Sequence, residues 1–362
     1  MPPQEKKFLH ALAMAGAEYH ALEKLLAVFG SFERAWQVDA ESLKTAGITP
    51  ELSEAIVKAR EKTDPNDEMR KLVSQGIALV TSDEPSFPKE LKIIATAPGF
   101  LYIKGTIDPK RPRLAVVGTR KATVYGKEAT AKIIRDLADA ADITIVSGLA
   151  QGIDTEAHRA ALSAKLPTIG VLGSGMDQVS FFPPENWNLA GDIVKAGGAI
   201  VSEYPPGMPA LKHHFPARNR IIAGLAAGTL VVEAPEKSGA LITANFALEQ
   251  GRDVFAIPGQ LFSPNAIGVH RLIQDGAKLV TSSDDILDEL NIPRKTTAAR
   301  ASETLTDETE HRILELLAEP SSVDELKLET NLPTSEIVTC LSMLELKGFV
   351  KPMGQNRYQR IA

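Results

Sequence analysis

Short runs of apolar and β-branched residues recur through the middle of the chain without the alternation of a half-exposed strand. The runs are Ile77–Thr81, Leu114–Val117, Ile143–Val146, Thr168–Leu172, Ala199–Val201, Leu230–Val232 and Val254–Ile257. Helical patterns separate most of them, as in Lys127–Ala138, Glu156–Ala164 and Ala240–Gln250. Strands without alternation that are separated by helices predict an α/β domain, with a parallel sheet covered on both faces.

The first part of the chain has a different pattern, typical of short helices. Apolar residues recur at helical spacing, as Leu22, Leu25, Leu26 and Phe29. Gly30 then ends the helix, and Ser31 is the predicted N-cap of the next one. Residues 1–70 are therefore predicted to form a small helical module of the SAM or helix-hairpin-helix kind. Such modules can bind duplex backbone, but twelve acidic against nine basic residues favour packing or protein interaction.

The last part of the chain predicts a third domain, residues 305–362, after a polar linker over residues 293–304. Three helical patterns follow the linker: Glu308–Leu317, Val323–Leu328 and Thr334–Leu346. An antiparallel pair of strands then runs from Gly348 to Tyr358. Three helices and a hairpin are typical of a winged-helix domain. The α/β domain accordingly spans residues 71–292.

Composition narrows the class of protein. The chain has 362 residues, 44% hydrophobic and 24% charged, which is ordinary for a folded protein of two or three domains. The formal net charge of −6 argues against a surface that coats nucleic acid everywhere, but it permits a local basic groove. The single cysteine, the lack of a signal-peptide pattern and the lack of a membrane-length apolar run predict a cytoplasmic protein without membrane insertion.

The stretch after Pro205 is the most informative local feature, because no acidic residue occurs from there to Val232. Its polar and aromatic residues are Lys212, Phe215, Arg218, Asn219 and Arg220. Cations beside an amide and an aromatic ring suit a phosphodiester backbone and an unstacked base. Equally well, the arginines could pair with carboxylates distant in sequence. The charge pattern alone does not separate these two interpretations.

A glycine turn after an earlier strand predicts a site for an anion. The turn contains Gly118, Thr119, Arg120 and Lys121. Free backbone N–H groups at such a turn favour an anion, and eight basic residues against one acid over residues 110–135 favour a polymeric one. The glycine spacing does not match a dinucleotide fingerprint, and no phosphate-binding GK[ST] loop occurs.

Further loops after strands extend the predicted groove along one edge of the sheet. They contribute Ser147, Gly148, Gly173 and Gly175, and the segment before a later helix contributes Lys237 and Ser238. Asp154 and His158 have metal-ligand spacing without a third ligand, which favours a capping Asp and a packing His. Phe181 and Phe182 are either exposed aromatic surface or buried rings. We expect no catalytic nucleophile, no metal and no cofactor.

Taken together, these segments resemble the DNA-processing protein A (DprA/Smf) family from about Phe87 to Ser282. The matching segments are Val117–Arg120, Ser147–Asp154 with His158, Leu172–Asp177, Ser202–Pro205, Phe215–Gly224, Lys237–Thr243 and Gly251–Gly259. The resemblance implies an extended Rossmann-like fold that forms a homodimer and binds single-stranded DNA without sequence preference. It also implies loading of RecA recombinase during natural transformation, with single-strand-binding protein as a further partner. Arg120 matches the family's Gly-x-Arg arginine, a principal DNA contact.

Two departures from the family pattern stand out. Where the family often has a lysine after an aromatic-proline pair, the sequence after Phe182 and Pro183 reads Pro184, Glu185, Asn186 and Trp187. That contact is in doubt, and Trp187 is an alternative stacking residue. In the winged domain, the predicted recognition helix has Glu336 and Glu345, whereas the cations Lys347, Lys351, Arg357 and Arg360 cluster in the wing. We therefore expect the winged domain to read a DNA major groove poorly. Contact between this domain and another protein is an equally good interpretation.

A second function remains open from the sequence, that of a Rossmann-like hydrolase acting on nucleoside monophosphates. Such an enzyme needs a carboxylate placed over a phosphate-binding turn in a closed pocket. Glu233 and Glu249 are the candidates. The acid-free basic tract beside several glycine loops favours a polymer instead.

Overall fold

The computed structural model describes residues 1–295, 308–346, 349–354 and 356–361. It divides into two compact units, one of residues 1–138 with 142–292 and the other of residues 139–141 with 293–362. Residues 1–70 therefore belong to the same unit as the sheet, and the boundary at residue 70 stays a prediction. Most of the predicted linker, residues 296–304, lies outside the described residues.

Helices precede the first strand, as the sequence predicts. They are α1 (Pro3–Met14), α2 (Tyr19–Phe29), α3 (Phe32–Gln37), α4 (Ala40–Thr45), α5 (Pro50–Arg60) and α6 (Pro65–Ser74). Gly30 ends α2 with a φ of 73°, in the left-handed region that glycine tolerates best. The Ser31 hydroxyl accepts a hydrogen bond from Arg34 N–H and caps α3. Both signals are confirmed.

The larger unit is built on a nine-stranded sheet. Its strands are β1 (Ile77–Thr81), β2 (Phe100–Gly105), β3 (Arg113–Val117), β4 (Thr144–Ser147), β5 (Thr168–Leu172), β6 (Ala199–Ser202), β7 (Gly228–Val231), β8 (Asp253–Ala256) and β9 (Lys278–Leu279). All seven predicted strands are present. The sequence analysis missed β2 and the two-residue β9.

The strand order is β1-β2-β6-β5-β4-β3-β7-β8-β9. The strands from β6 to β9 in this order are parallel, as predicted. β1 pairs antiparallel with β2, and β2 pairs antiparallel with β6, so β1 runs in the same direction as the parallel strands and only the inserted β2 runs against the other described strands of the sheet. The reason is the connection over residues 82–99. It contains only a short 3-10 helix, Lys89–Leu91, whereas parallel neighbours need a crossover, usually a full helix.

The remaining helices of this unit follow the strands. They are α7 (Val124–Ala140), α8 (Ile153–Ser163), α9 (Trp187–Lys195), α10 (His214–Leu225), α11 (Gly239–Glu249), α12 (Ile267–Gln274) and α13 (Ser283–Glu289). One sheet face packs against α10 and α11. The opposite face shares its core with α9 and with the N-terminal helices, through buried residues such as Leu12 and Leu25. The N-terminal module is thus used for packing, the interpretation that its charge favours.

The strand order places a topological switch point beside β3. From β3 the chain proceeds outward through β4, β5 and β6, and α10 then leads to β7 on the other side of β3. Connections from β3 and β7 therefore leave the sheet in opposite directions, which opens a crevice at their carboxyl ends. Ligands of open α/β sheets bind at such a crevice.

The smaller unit has the predicted winged-helix elements. Its helices are Glu308–Leu316, Val323–Thr330 and Thr334–Leu346, and its strands are Ser321–Ser322, Val350–Gly354 and Arg357–Arg360. The strands form an antiparallel sheet over a core that includes Ile313, Leu326 and Leu344. In the described part of the chain, no helix is both long and apolar enough to span a membrane.

Candidate nucleic-acid interface

An open groove of about 670 Å³ lies at the switch point. Residues that line it include Gly118, Thr119, Arg120, Asp154, Phe182, Lys212, Phe215, Arg218, Asn219, Lys237, Ser238, Ile242 and Thr243. They come from the loops after β3, β5, β6 and β7 and from the first turns of α8, α10 and α11. The structure therefore brings nine of the fifteen predicted site residues together in one groove.

The turn after β3 is held in place by Glu233, at the end of the neighbouring β7. Thr119 N–H donates to the Glu233 carbonyl over 2.8 Å. Thr123 donates to the buried Glu233 carboxylate twice, from its N–H over 2.9 Å and from its hydroxyl over 2.6 Å. The turn is thereby fixed while the Arg120 side chain between its anchors stays exposed.

Arg120 lies over an aromatic surface at the mouth of the groove. Its guanidinium carbon is 5.5 Å from the centroid of the half-buried Phe215 ring. Phe182, 42% exposed, lies 5.6 Å from Phe215 between ring centroids. Phe181 is buried, so the two adjacent rings divide between surface and core. An unstacked base can stack on exposed rings of this kind.

Three cations of the groove are free to meet a ligand. Arg120, Lys212 and Lys237 are exposed and line the groove. None of them forms an ion pair with any residue that the structure describes. Ser238 caps α11 by accepting from Ala240 N–H, which directs that helix terminus toward the groove. The result is a positive, solvent-filled surface beside a helix N-terminus, which favours anions.

Arg218 lines the same groove but is committed to the protein. Its side chain is 5% exposed, and its Nη1 donates to the carbonyls of Gly148, over 2.8 Å, and Val171. Burial lowers the pKa of Arg218 to about 10, opposed by the nearby Asp154 carboxylate. Burial raises the pKa of Asp154, and the Arg218 guanidinium opposes that shift. Asp154, at the start of a helix distant in sequence, therefore partly offsets the charge of Arg218.

Arg220 does not line the groove. It forms an ion pair of 2.7 Å with Glu203, and both side chains are largely buried. Burial raises the pKa of Glu203, and Arg220 opposes this effect. For Arg220, the alternative interpretation of pairing with a distant carboxylate holds, whereas Arg218 is engaged by backbone carbonyls. Lys212 alone of the three cations in the acid-free stretch is free in the described structure.

Several other predicted residues determine how the loops after β4 and β5 pack against the protein. Ser147 is fully buried and its hydroxyl donates to the Val116 carbonyl, so this hydroxyl is not available to bind a phosphate. Gly148 N–H donates to Asp154 over 3.0 Å. A side chain at Gly173 would contact Phe215, and one at Gly175 would overlap the Pro205 carbonyl at 2.6 Å. These glycines therefore permit close packing; they do not present N–H groups to the groove.

The last two predicted residues lie at the margin. Asn219 lines the groove, but its amide nitrogen donates to the Gly239 carbonyl over 3.2 Å. Lys121 is exposed on the turn beside Arg120, and its carbonyl accepts from Asn265. Trp187, the alternative stacking residue, packs edge to face on Phe181 with 5.3 Å between centroids. It is partly buried against the core, which leaves Phe182 as the exposed ring.

The possible metal pair has a structural explanation. His158 is fully buried, and its Nδ1 is 2.8 Å from the Thr168 hydroxyl. Burial lowers the pKa of His158 to about 3. Asp154 is occupied by Gly148 and Arg218, as a loop anchor rather than a simple helix cap. The sequence analysis did not predict this role of Asp154. The available signal was an Asp that directly follows a glycine-containing loop.

The winged unit carries a weak cationic surface where the structure describes it. Arg357 pairs with Glu325 at 3.3 Å, while Lys351 is exposed. Helix Thr334–Leu346 contains no lysine or arginine, and its Glu336 is exposed. Lys347 lies outside the described residues.

The fold and groove together define a Rossmann-like α/β protein with an open groove lined by cations, in one chain with a winged-helix unit. The family model for DNA recombination-mediator protein A matches residues 78–291, and the DprA winged-helix model matches residues 296–356. The chain therefore belongs to the DNA recombination-mediator protein A (DprA/Smf) family, and the resemblance found in the sequence is confirmed.

Individual relatives agree with this assignment. Protein Smf of Synechocystis sp. is 35% identical over 94% of both chains. DNA processing protein DprA of Streptococcus pneumoniae is 49% identical over 56% of this chain and 71% of its own length. The X-ray structure of S. pneumoniae DprA has a TM-score of 0.64 at 37% identity, covering 78% of this chain and 97% of that one. A Helicobacter pylori DprA structure, whose name describes a single-stranded DNA binding mode, has a TM-score of 0.52 at 28% identity over 59% of this chain and 95% of that one.

Proposed function

We propose that this protein binds single-stranded DNA without sequence preference in the switch-point groove. The observation that carries the proposal is the placement in one groove of three cations that have no ion pair among the described residues, Arg120, Lys212 and Lys237, with Arg120 over the Phe215 ring. Free cations follow a phosphate backbone, and an exposed ring stacks on any base. The name of the H. pylori relative adds support from within the family.

The groove suits a strand better than a mononucleotide. Its cations come from three separate loops and helix ends, and it is open to solvent. No described residue of the groove supplies an unengaged carboxylate beside a phosphate-binding turn. Glu233 accepts two hydrogen bonds from Thr123, and Glu249 is exposed at the opposite end of α11 from Ser238. The hydrolase alternative therefore has no observation in its favour.

We further propose that the protein acts as a homodimeric mediator that loads RecA on incoming strands during natural transformation. Family membership supports the role in recombination. A groove on each subunit would hold two segments of one strand and raise the effective local concentration of DNA. Single-strand-binding protein, the coat that must be displaced from such strands, is the further partner.

A fluorescence titration tests the DNA-binding proposal. Labelled oligonucleotides of unrelated sequence should bind with similar affinity, and a nucleoside monophosphate should not compete. Three phosphate contacts predict a log–log salt slope of about −2, at about 0.7 per contact. Salt-independent binding, or turnover of nucleoside monophosphates, would contradict the proposal.

A further inference from the structure

A cluster of metal-ligating side chains lies outside the groove floor, between the N-terminal helices and α10. It consists of Glu18, His213 and His214, whose ligand atoms all lie within 4.8 Å of one another. Glu18 Oε1 is 3.5 Å from Nε2 of His213 and 3.5 Å from Nε2 of His214. Glu18 directly precedes α2, and the two histidines begin α10. The three side chains thus join segments that are far apart in sequence.

The spacing of these atoms fits a small transition-metal ion. Tetrahedral zinc with bonds of about 2.0–2.2 Å places neighbouring ligand atoms about 3.3–3.5 Å apart. Both oxygen–nitrogen distances in the cluster therefore already match the spacing around a metal. The His213 side chain is 66% exposed, so its ring can rotate to bring the third pair of atoms to the same spacing.

One ligand is held rigidly before any metal arrives. The His214 side chain is 1% exposed and stacks on Tyr204, with 3.8 Å between centroids and 19° between planes. Its Nδ1 is buried beside the Gly173 backbone. The ring therefore cannot turn away to water, and its Nε2 stays directed at the Glu18 carboxylate. Fixed orientation of a ligand is what metal sites obtain from their surroundings.

We propose that Glu18, His213 and His214 bind one divalent transition-metal ion of the zinc class. Two imidazoles and a carboxylate suit such an ion, whereas Mg²⁺ and Ca²⁺ prefer oxygen ligands. Three protein ligands leave a fourth position for water. A bound ion would also stabilise the close approach of the two histidine rings, whose centroids are 4.5 Å apart.

The ion would act as a clamp between the N-terminal module and the groove. The residues on either side of the two histidines, Lys212 and Phe215, both line the groove. Binding would therefore fix the start of α10 to the N-terminal helices and restrain that wall of the groove. This inference concerns metal binding and stands independently of the proposed DNA binding.

Calorimetric titration of the tag-free, chelator-treated full chain with ZnCl₂ tests the site. We expect one ion per chain, with excess Mg²⁺ unable to compete. Glu18→Gln and His213→Ala should each weaken binding at least about 10-fold, the lower limit for losing even an outer partner of a metal ligand. Both side chains are largely exposed, so these variants should fold.

His20→Ala provides the matched control. His20 is exposed and lies 3.6 Å from Glu23 in the same module, but no third ligand is grouped with that pair in the described structure. Its removal should leave zinc affinity unchanged. Co²⁺ should give the visible absorption of a four-coordinate ion in the wild type and lose it in Glu18→Gln. Equal zinc affinity in the wild type and in both ligand variants, or no saturable binding, would overturn the proposal.

Discussion

At the scale of single residues, chemically identical side chains have different uses in this protein. Arg120 is exposed above an aromatic ring, Arg218 is buried against backbone carbonyls, and Arg220 is paired with Glu203. The difference is set by neighbours, because a buried guanidinium needs acceptors and a counter-charge whereas an exposed one does not. Only the exposed arginine is available to a ligand without disturbing the fold.

Arg120→Ala should weaken single-strand binding to the same extent for all sequences. The lost phosphate contact should also flatten the log–log salt dependence by about 0.7. Anisotropy titrations at several salt concentrations measure both quantities. Arg135→Ala is the matched control, because Arg135 is exposed further along α7 and away from the groove lining. Identical slopes for the two variants would remove Arg120 from the site.

Phe215→Ala should reduce oligonucleotide affinity by about 1–3 kcal/mol, the contribution of one stacked base. Because Phe215 is only half-buried, the melting temperature should change little. Phe181→Ala, at a ring with 4% exposure, should instead cost about 3–5 kcal/mol of stability. A large loss of stability for Phe215→Ala would show that this ring belongs to the core rather than to the interface.

His158 should make the fold sensitive to acid. Its pKa is lowered from 6.5 to about 3 by burial, so below pH 6.5 the unfolded chain binds a proton that the folded chain does not. Its contribution to stability is therefore full above pH 6.5 and is lost as the pH falls toward 3. Between pH 7 and 5.5 the loss should be about 1 kcal/mol. Urea unfolding of His158→Gln should show a pH dependence smaller by this amount; an equal dependence would contradict the assignment.

At the scale of elements, buried Arg218 and the nearby buried Asp154 hold together the loops that form the groove. Arg218 extends from α10 to the carbonyl after β4 and to the carbonyl of Val171 in β5, and Asp154 begins α8. Asp154 in turn accepts from Gly148 N–H. Burial of the two groups is tolerated because each is hydrogen-bonded to adjacent backbone groups and the two opposite charges lie near each other. The free cations can then be presented from loops with fixed positions.

Arg218→Ala should therefore destabilise the protein by about 3–5 kcal/mol, since it leaves the Gly148 and Val171 carbonyls without their donor at about 1–3 kcal/mol each. Lys212→Ala, at an exposed cation of the same stretch, should change stability by no more than about 0.5 kcal/mol. Denaturant titrations of the two variants give the comparison. If Arg218→Ala were as stable as Lys212→Ala, the pair would not organise the groove.

At the scale of the whole molecule, the proposed dimer needs a surface to bury. Two adjacent apolar residues after β8 are strongly exposed to solvent: Leu261 is 75% exposed and Phe262 is 94% exposed. Exposed apolar residues of this size are typical of interaction sites when they lie together. Their position in the larger unit makes them a candidate part of the interface between subunits.

Light scattering should give twice the chain mass of 38.9 kDa. The double change Leu261→Ser and Phe262→Ser should shift the equilibrium toward the monomer, whereas Val179→Ser, at 96% exposure, is the control. Stoichiometric wild-type protein should also speed RecA filament growth on strands coated with single-strand-binding protein. A monomeric wild type without this effect would contradict the mediator proposal.

Much of this architecture follows from the sequence alone. Unalternating apolar runs located seven strands, and the Gly30 and Ser31 signals placed the boundary between two helices. These features are local, because burial on both faces and capping are encoded within a few residues. The antiparallel pairing of β2 with β1 and β6 was not local, since it depends on how the chain returns to the sheet.

The candidate nucleic-acid interface likewise has features that the sequence determines and features that only the tertiary structure decides. The sequence by itself determined which loops reach the carboxyl edge and that they carry cations, glycines and an aromatic ring. Only the tertiary structure decided that Arg120, Lys212 and Lys237 have no ion pair among the described residues, whereas Arg218 and Arg220 are engaged. The physical reason is that a charge is neutralised by neighbours in space. The carboxylates of Asp154 and Glu203 reach their arginines only after the sheet has formed.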